Sequence, residues 1–139
     1  MARATHLLDT SALTRLSRPA VANVLVPLIG GGRAALCAPV AFELGYSART
    51  AADHGAVMAE IDAFEQAPVT DADHWRAIEV QGRLAERAQH RAVSLVDALV
   101  AAVAEARGLT VLHYDADFEL ITEVTGQPTE WVVPRASVD

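Results

Sequence analysis

Ser94-Leu-Val-Asp97-Ala-Leu-Val-Ala-Ala-Val-Ala-Glu105-Ala-Arg107-Gly108-Leu-Thr110-Val-Leu-His-Tyr-Asp115 is the stretch that decides the fold. Residues 94–107 are apolar on nearly every side, the pattern of a buried helix. Gly108 stops that helix, since glycine takes the left-handed backbone of a C-terminal cap without penalty. Thr110 to Tyr114 is β-branched and apolar and predicts a strand, which ends at Asp115. A helix that passes through a glycine directly into an apolar strand is a unit of an α/β domain.

The same alternation extends outward. Ala4 to Leu8 reads as a strand ending in Asp9-Thr10-Ser11, where Thr10 or Ser11 is expected to cap a helix carrying Leu13 and Leu16, with Pro19 ending it. Ala20 to Ile29 is apolar and Gly30-Gly31-Gly32 stops it. Ala34 to Ala38 predicts a second strand, and Pro39 opens a helix that contains Glu43. Val57, Met58, Ile61 and Phe64 recur at helical spacing, so a helix is expected over residues 51–66. Pro68 breaks it. Asp71 or Asp73 should cap the next helix, which carries Trp75, Ile78 and Leu84 to about Gln89. A short helix through Phe118 and Ile121 and a last strand, Glu130 to Val133, complete the chain. The fold expected is a three-layer α/β/α domain with a short, mostly parallel central sheet, one unit spanning residues 1–139.

Composition narrows the function. With 18 acids against 11 basic residues the net charge is −7, which excludes a broadly cationic nucleic-acid clamp but not a nuclease using metal ions and local arginines. Every basic residue is Arg, so chemistry that requires a lysine, such as P-loop nucleotide binding or Schiff-base formation, is excluded. The one cysteine, Cys37, rules out an internal disulfide and a cysteine-based zinc cluster and suits a reducing, cytoplasmic setting. Asp9 interrupts the first apolar run, so a signal peptide is not expected, and no apolar stretch is long enough for a membrane span. Aromatic residues make up 5%, which argues against an extended base-stacking platform.

Acids in unusual places carry the chemistry. Asp9 and Asp115 each end a strand, and Asp117 follows two positions on. Ligands of open parallel sheets bind beyond the carboxyl ends of strands. Asp97 has Val93, Val100 and Ala101 as helical neighbours, and Glu43 lies among Val40, Phe42, Leu44 and Tyr46; both read as acids on buried faces. A buried carboxylate needs a partner or a proton. Two carboxylates about 5 Å apart repel by roughly 3 kcal/mol at an effective dielectric near 20. A divalent cation removes that cost, and an all-oxygen set favours Mg²⁺ or Mn²⁺ over zinc. The competing reading of each acid alone is a helix cap or an ion pair with a distant Arg. Asp62, Glu65, Glu79 and Glu86 fall on polar helix faces and read as solvated.

Four motifs, in this order and spacing, resemble the PIN-domain ribonucleases and specifically the VapC toxins of type II toxin–antitoxin pairs. They are His6-Leu-Leu-Asp9-Thr-Ser-Ala-Leu13, Phe42-Glu43-Leu-Gly-Tyr-Ser-Ala-Arg49, Ser94-Leu-Val-Asp97-Ala-Leu-Val-Ala-Ala102 and Leu112-His-Tyr-Asp115-Ala-Asp-Phe118, followed by Trp131-Val-Val-Pro134. The resemblance implies a Mg²⁺- or Mn²⁺-dependent endoribonuclease that leaves 5′-phosphate and 3′-hydroxyl ends. Asp9, Glu43, Asp97 and Asp115 match the family's catalytic quartet, with Asp9, Asp97 and Asp115 as metal ligands. Asp117 is the accessory acid, and Ser11 supports Asp9. The partners it implies are RNA, a VapB-type antitoxin and a second copy of the chain in a homodimer.

The remaining residues are read locally. Arg15, Arg18 and Arg49 follow the acidic motifs and are candidates for RNA phosphates, with solvated arginines or salt bridges as the competing reading. His6 and His113 are read as structural, Trp75 and Trp131 as core or interface, and Cys37 as a buried small hydrophobe. Two other functions fit parts of the pattern. A metal-dependent phosphatase would use Asp115-Ala-Asp117, but such enzymes normally need a lysine. A non-catalytic PIN-like binding module would have no need of an intact quartet.

Overall fold

The architecture comes from a computed structural model that describes residues 3–139; Met1 and Ala2 of the expected 1–139 unit lie outside the described residues. Five strands form one fully parallel sheet: β1 (His6–Leu8), β2 (Ala34–Leu36), β3 (Glu65–Gln66), β4 (Thr110–His113) and β5 (Thr129–Trp131), in the order β3-β2-β1-β4-β5. Among the described residues seven helices connect them: α1 (Thr10–Leu13), α2 (Pro19–Gly30), α3 (Ala38–Tyr46), α4 (Ala51–Ile61), α5 (Asp71–Ala85), α6 (Leu95–Arg107) and α7 (Asp117–Thr125). The chain runs from β1 to β2 to β3 in one direction and from β4 to β5 in the other. Right-handed crossovers therefore lay α1–α4 on one face and α5–α7 on the other, giving the three layers expected.

The centre of the sheet is the core. Leu7 and Leu8 pair with Val111 and Leu112 and are buried with them, and α6 buries every residue from Asp97 to Ala104. Burial on all sides explains why the middle of this stretch, 97–104, shows no polar stripe, whereas Leu95 in the first turn is exposed. Ser94 caps α6 by accepting from the Asp97 N–H, and Gly108, at φ +67°, closes its other end. Among the described residues no helix is long and apolar enough to cross a membrane.

Several boundaries differ from the sequence reading. Pro19 opens α2 at its first turn instead of ending α1, which stops at Leu13 and leaves Leu16 in an exposed turn. Asp9 itself caps α1, in place of Thr10 or Ser11. Thr70 caps α5, and Asp73 returns the bond from the third helical position to complete a capping box. That helix ends at Ala85, short of Gln89. The helix expected over 51–66 ends at Ile61, because Glu65 and Gln66 pair with Ala35 and Leu36 as the edge strand β3. The strand ends also shift: Cys37 leaves β2 for the N-cap position of α3, where its side chain makes no capping bond, and β5 starts at Thr129 and stops at Trp131. Trp75 is 65% exposed and so is not a core residue.

Candidate active site

The order of the strands reverses between β1 and β4, which is where open α/β sheets bind their ligands. Asp9 leaves the carboxyl end of β1 and Asp115 that of β4, its neighbour. The Asp9 N–H donates to the Leu112 carbonyl at 3.0 Å, so the two strand ends are tied together just below the acids. From the α6 layer Asp97 enters on the first turn of its helix, and from α3 comes Glu43.

Asp97, Asp115 and Asp117 each place a carboxylate oxygen within 4.8 Å of the others. Burial first, then the charges of Asp9, Asp115, Asp117 and Glu43, push the Asp97 carboxyl up to about 8. Burial also raises Asp9, against the lowering effect of its two bonds from Ser11, and raises Asp117 together with the Asp115 charge. Among the described residues no arginine or histidine forms an ion pair with any of these five acids.

Local bonds hold the acids in place. Asp9 Oδ2 accepts from the Ser11 N–H at 3.0 Å and from the Ser11 hydroxyl at 2.6 Å, while that hydroxyl accepts from the Tyr114 N–H at 2.8 Å. Ser11 thus links the strand ends as well as fixing Asp9. The Thr10 hydroxyl donates to Glu43 Oε1 at 2.6 Å, and Asp115 Oδ1 accepts from the Asp117 N–H at 2.9 Å. Among the described residues, buried Asp9 Oδ1 has no hydrogen-bond partner. Such an orphan is costly unless something else engages it. One Asp9 oxygen is thus the helix cap, while the other makes no hydrogen bond among the described residues.

The geometry groups the acids differently from the motifs. Asp117, assigned as accessory, belongs to the close triad, whereas Asp9 borders it. Glu43 is half-buried, not on an apolar face, because its neighbours Phe42 and Tyr46 are 76% and 84% exposed. Arg15 is engaged by the Ser11 carbonyl at 2.7 Å and the Asp139 carbonyl at 2.8 Å, and Arg18 pairs with the Asp139 carboxylate at 3.3 Å. Arg49 is exposed. Buried His113 stacks on Phe118 at 4.7 Å and packs against Trp131 at 5.0 Å, and desolvation lowers its pKa to about 4. His6 meets Glu130 at 3.3 Å on the sheet. Buried Cys37 is held protonated, its thiol pushed up to about 11 by burial. Arg135, not singled out in the sequence, lies over the Trp131 ring, 5.7 Å from its centroid; no spacing rule marks it.

The donor set is all oxygen, one donor is an orphaned buried atom and the charge is uncompensated, which together fit a hard divalent cation. A family model for the PIN domain matches residues 6–124. Ribonuclease VapC51 of Mycobacterium tuberculosis is 46% identical over 134 residues, 96% of this chain and 97% of that protein. The chain belongs to the VapC group of the PIN-domain family. Among solved structures, VapBC-5 of M. tuberculosis, a member of the VapBC family of toxin–antitoxin systems, is 26% identical with a TM-score of 0.59, covering 94% of this chain and 98% of that one. DNA-bound VapBC of Salmonella typhimurium aligns with a TM-score of 0.75 at 18% identity, covering 94% and 99%, a likeness of fold. The acids of this PIN domain thus lie at the switch point of a fold shared across that group.

Proposed function

We propose that this PIN domain is a divalent-metal-dependent endoribonuclease acting as the toxin of a type II toxin–antitoxin pair. The observation that carries the reading is the triad of Asp97, Asp115 and Asp117 oxygens beside the orphaned Asp9 Oδ1. Family membership adds the substrate class: the relative described above is a ribonuclease, and VapBC-5 belongs to a toxin–antitoxin system. A VapB-type antitoxin and a second copy of the chain are the proposed protein partners.

Asp97, Asp115 and Asp117 would hold Mg²⁺ or Mn²⁺, with Asp9 engaging it through Oδ1. Bound there, the ion supplies Lewis-acid activation of water and charge stabilisation at the phosphate. Ser11 keeps Asp9 oriented by bonding its other oxygen, and Asp115 is steadied by the Asp117 N–H. Asp97 must give up its proton for the site to fill, so occupancy rises with pH. Glu43, held by the Thr10 hydroxyl, would serve to orient the water.

Incubation of the protein with total RNA and Mn²⁺, followed by mapping of the ends, tests this reading. The expected products carry 5′-phosphate and 3′-hydroxyl ends and are absent with EDTA or with Asp115→Asn. Cleavage that survives EDTA, or that yields 2′,3′-cyclic phosphates, contradicts it.

A further inference from the structure

Next to the acids lies an open cavity of about 640 Å³, lined by Ser11, Arg15, Tyr114, Asp115, Trp131 and Arg135 among others. Its volume is in the range of roughly 300–1,000 Å³ typical of small-ligand sites. Two of its walls are guanidinium–aromatic pairs. Arg15 sits over the Tyr114 ring at 4.5 Å, and Arg135 over Trp131 at 5.7 Å. The two rings meet edge to face at 5.3 Å. Asp115 and Ser11 belong both to this cavity and to the acidic cluster, so the two spaces share a wall.

We infer that this cavity binds a single-stranded RNA nucleotide adjacent to the phosphate to be cleaved. The inference rests on the ribonuclease reading and adds a subsite to it. A polymer with one phosphate at the acids must place flanking nucleotides beside them. Unpaired bases stack on aromatic rings and on guanidinium planes, and the guanidinium edge donates to phosphate. Seven aromatic residues are too few for an extended platform, but a one-nucleotide site needs only the two gathered here. Arg135 is the cation best placed to respond. It is 64% exposed and only loosely paired with Glu119, at 3.7 Å, whereas Arg76, Arg87 and Arg107 are taken up by carboxylates at 2.7 to 3.3 Å. Arg15, fixed by two main-chain carbonyls, holds the opposite wall.

Arg135→Gln tests the subsite, with Arg87→Gln as a matched control, since Arg87 is also exposed and pairs with a glutamate further along α7. Binding of a short fluorescein-labelled oligouridylate is followed by anisotropy in an Asp97→Asn background, and cleavage in the otherwise unaltered chain with Mn²⁺. The inference expects Arg135→Gln to raise Kd and KM about tenfold with kcat nearly unchanged, and to lower the salt slope of log K by about 0.7, one phosphate contact on a single strand. Arg135→Lys should restore the slope without restoring the affinity. Arg87→Gln should change neither. Equal affinities for Arg135→Gln and Arg87→Gln in a protein that cleaves RNA would overturn the subsite alone and leave the cavity to a protein partner. Arg135-dependent binding without any cleavage would keep the subsite and overturn the nuclease reading. Absence of both binding and cleavage would overturn both.

Discussion

Asp9 joins an observed role in the fold to a proposed role in the chemistry. Its Oδ2 caps α1, and its Oδ1 is buried without a partner. Ser11 is the residue that separates these roles. Ser11→Ala removes the hydroxyl bonded to Asp9 and leaves the Tyr114 N–H without its acceptor, and the loss of stability should be about 1–3 kcal/mol by urea unfolding, with weaker Mn²⁺ binding. Asp97 offers a second test. With its carboxyl raised from 3.8 to about 8, the metal-free folded chain keeps a proton that the unfolded chain has released. Stability therefore falls as pH rises through that window and levels off above it. Asp9 and Asp117 shift in the same direction. Buried His113, lowered from 6.5 to about 4, has the opposite slope between those values. The carboxyl effect is thus read between pH 6.5 and 8, where the melting temperature in EDTA should decline. Asp97→Asn should flatten the decline and melt higher at its alkaline end. An unchanged slope in the variant would refute a proton on Asp97.

At the scale of elements, α6 separates stability from positioning. Ser94→Ala removes the N-cap at the Asp97 end and should cost about 1 kcal/mol together with activity. Gly108→Ala forces a left-handed alanine at the far end, where an added Cβ meets nothing within 4 Å, and should cost roughly 1–2 kcal/mol while leaving activity per folded molecule intact. The two variants are compared by urea unfolding and by RNA cleavage. This helix was legible because its apolar run, serine cap and glycine stop all agree. The edge strand β3 was not: Glu65 and Gln66 have poor strand propensity and are ordered by the pairing offered by β2, a long-range effect. Pro19 was misread because a proline suits a helix start as well as a stop. The buried setting expected for Glu43 failed for a related reason: apolar neighbours in sequence point inward only if another element covers them, and among the described residues Phe42 and Tyr46 stay exposed.

Across the whole molecule, the switch point between β1 and β4 explains why acids far apart in sequence share one place. The parallel sheet could be anticipated from alternating helices and apolar strands, and the nearness of Asp97 to Asp115 from an acid on an apolar helix face and an acid at a strand end. What the sequence left open was which acids lie closest together. Asp117 joins Asp97 and Asp115 because α7 begins immediately after β4, and no pattern in the residues ranks it above Asp9. Relief of repulsion should make the metal a stabilising ligand. Mn²⁺ at a hundred times its Kd should add about 2.7 kcal/mol to the unfolding free energy and raise the melting temperature accordingly.

Calorimetric titration of Mn²⁺ into the unaltered chain, beside Asp97→Asn and Asp115→Asn, tests the central claim most directly. Saturable binding near pH 7 with release of protons, lost or greatly weakened in both variants, is the predicted result. Absence of binding at millimolar Mn²⁺, or equal binding by all three proteins, would contradict a metal site built from these carboxylates.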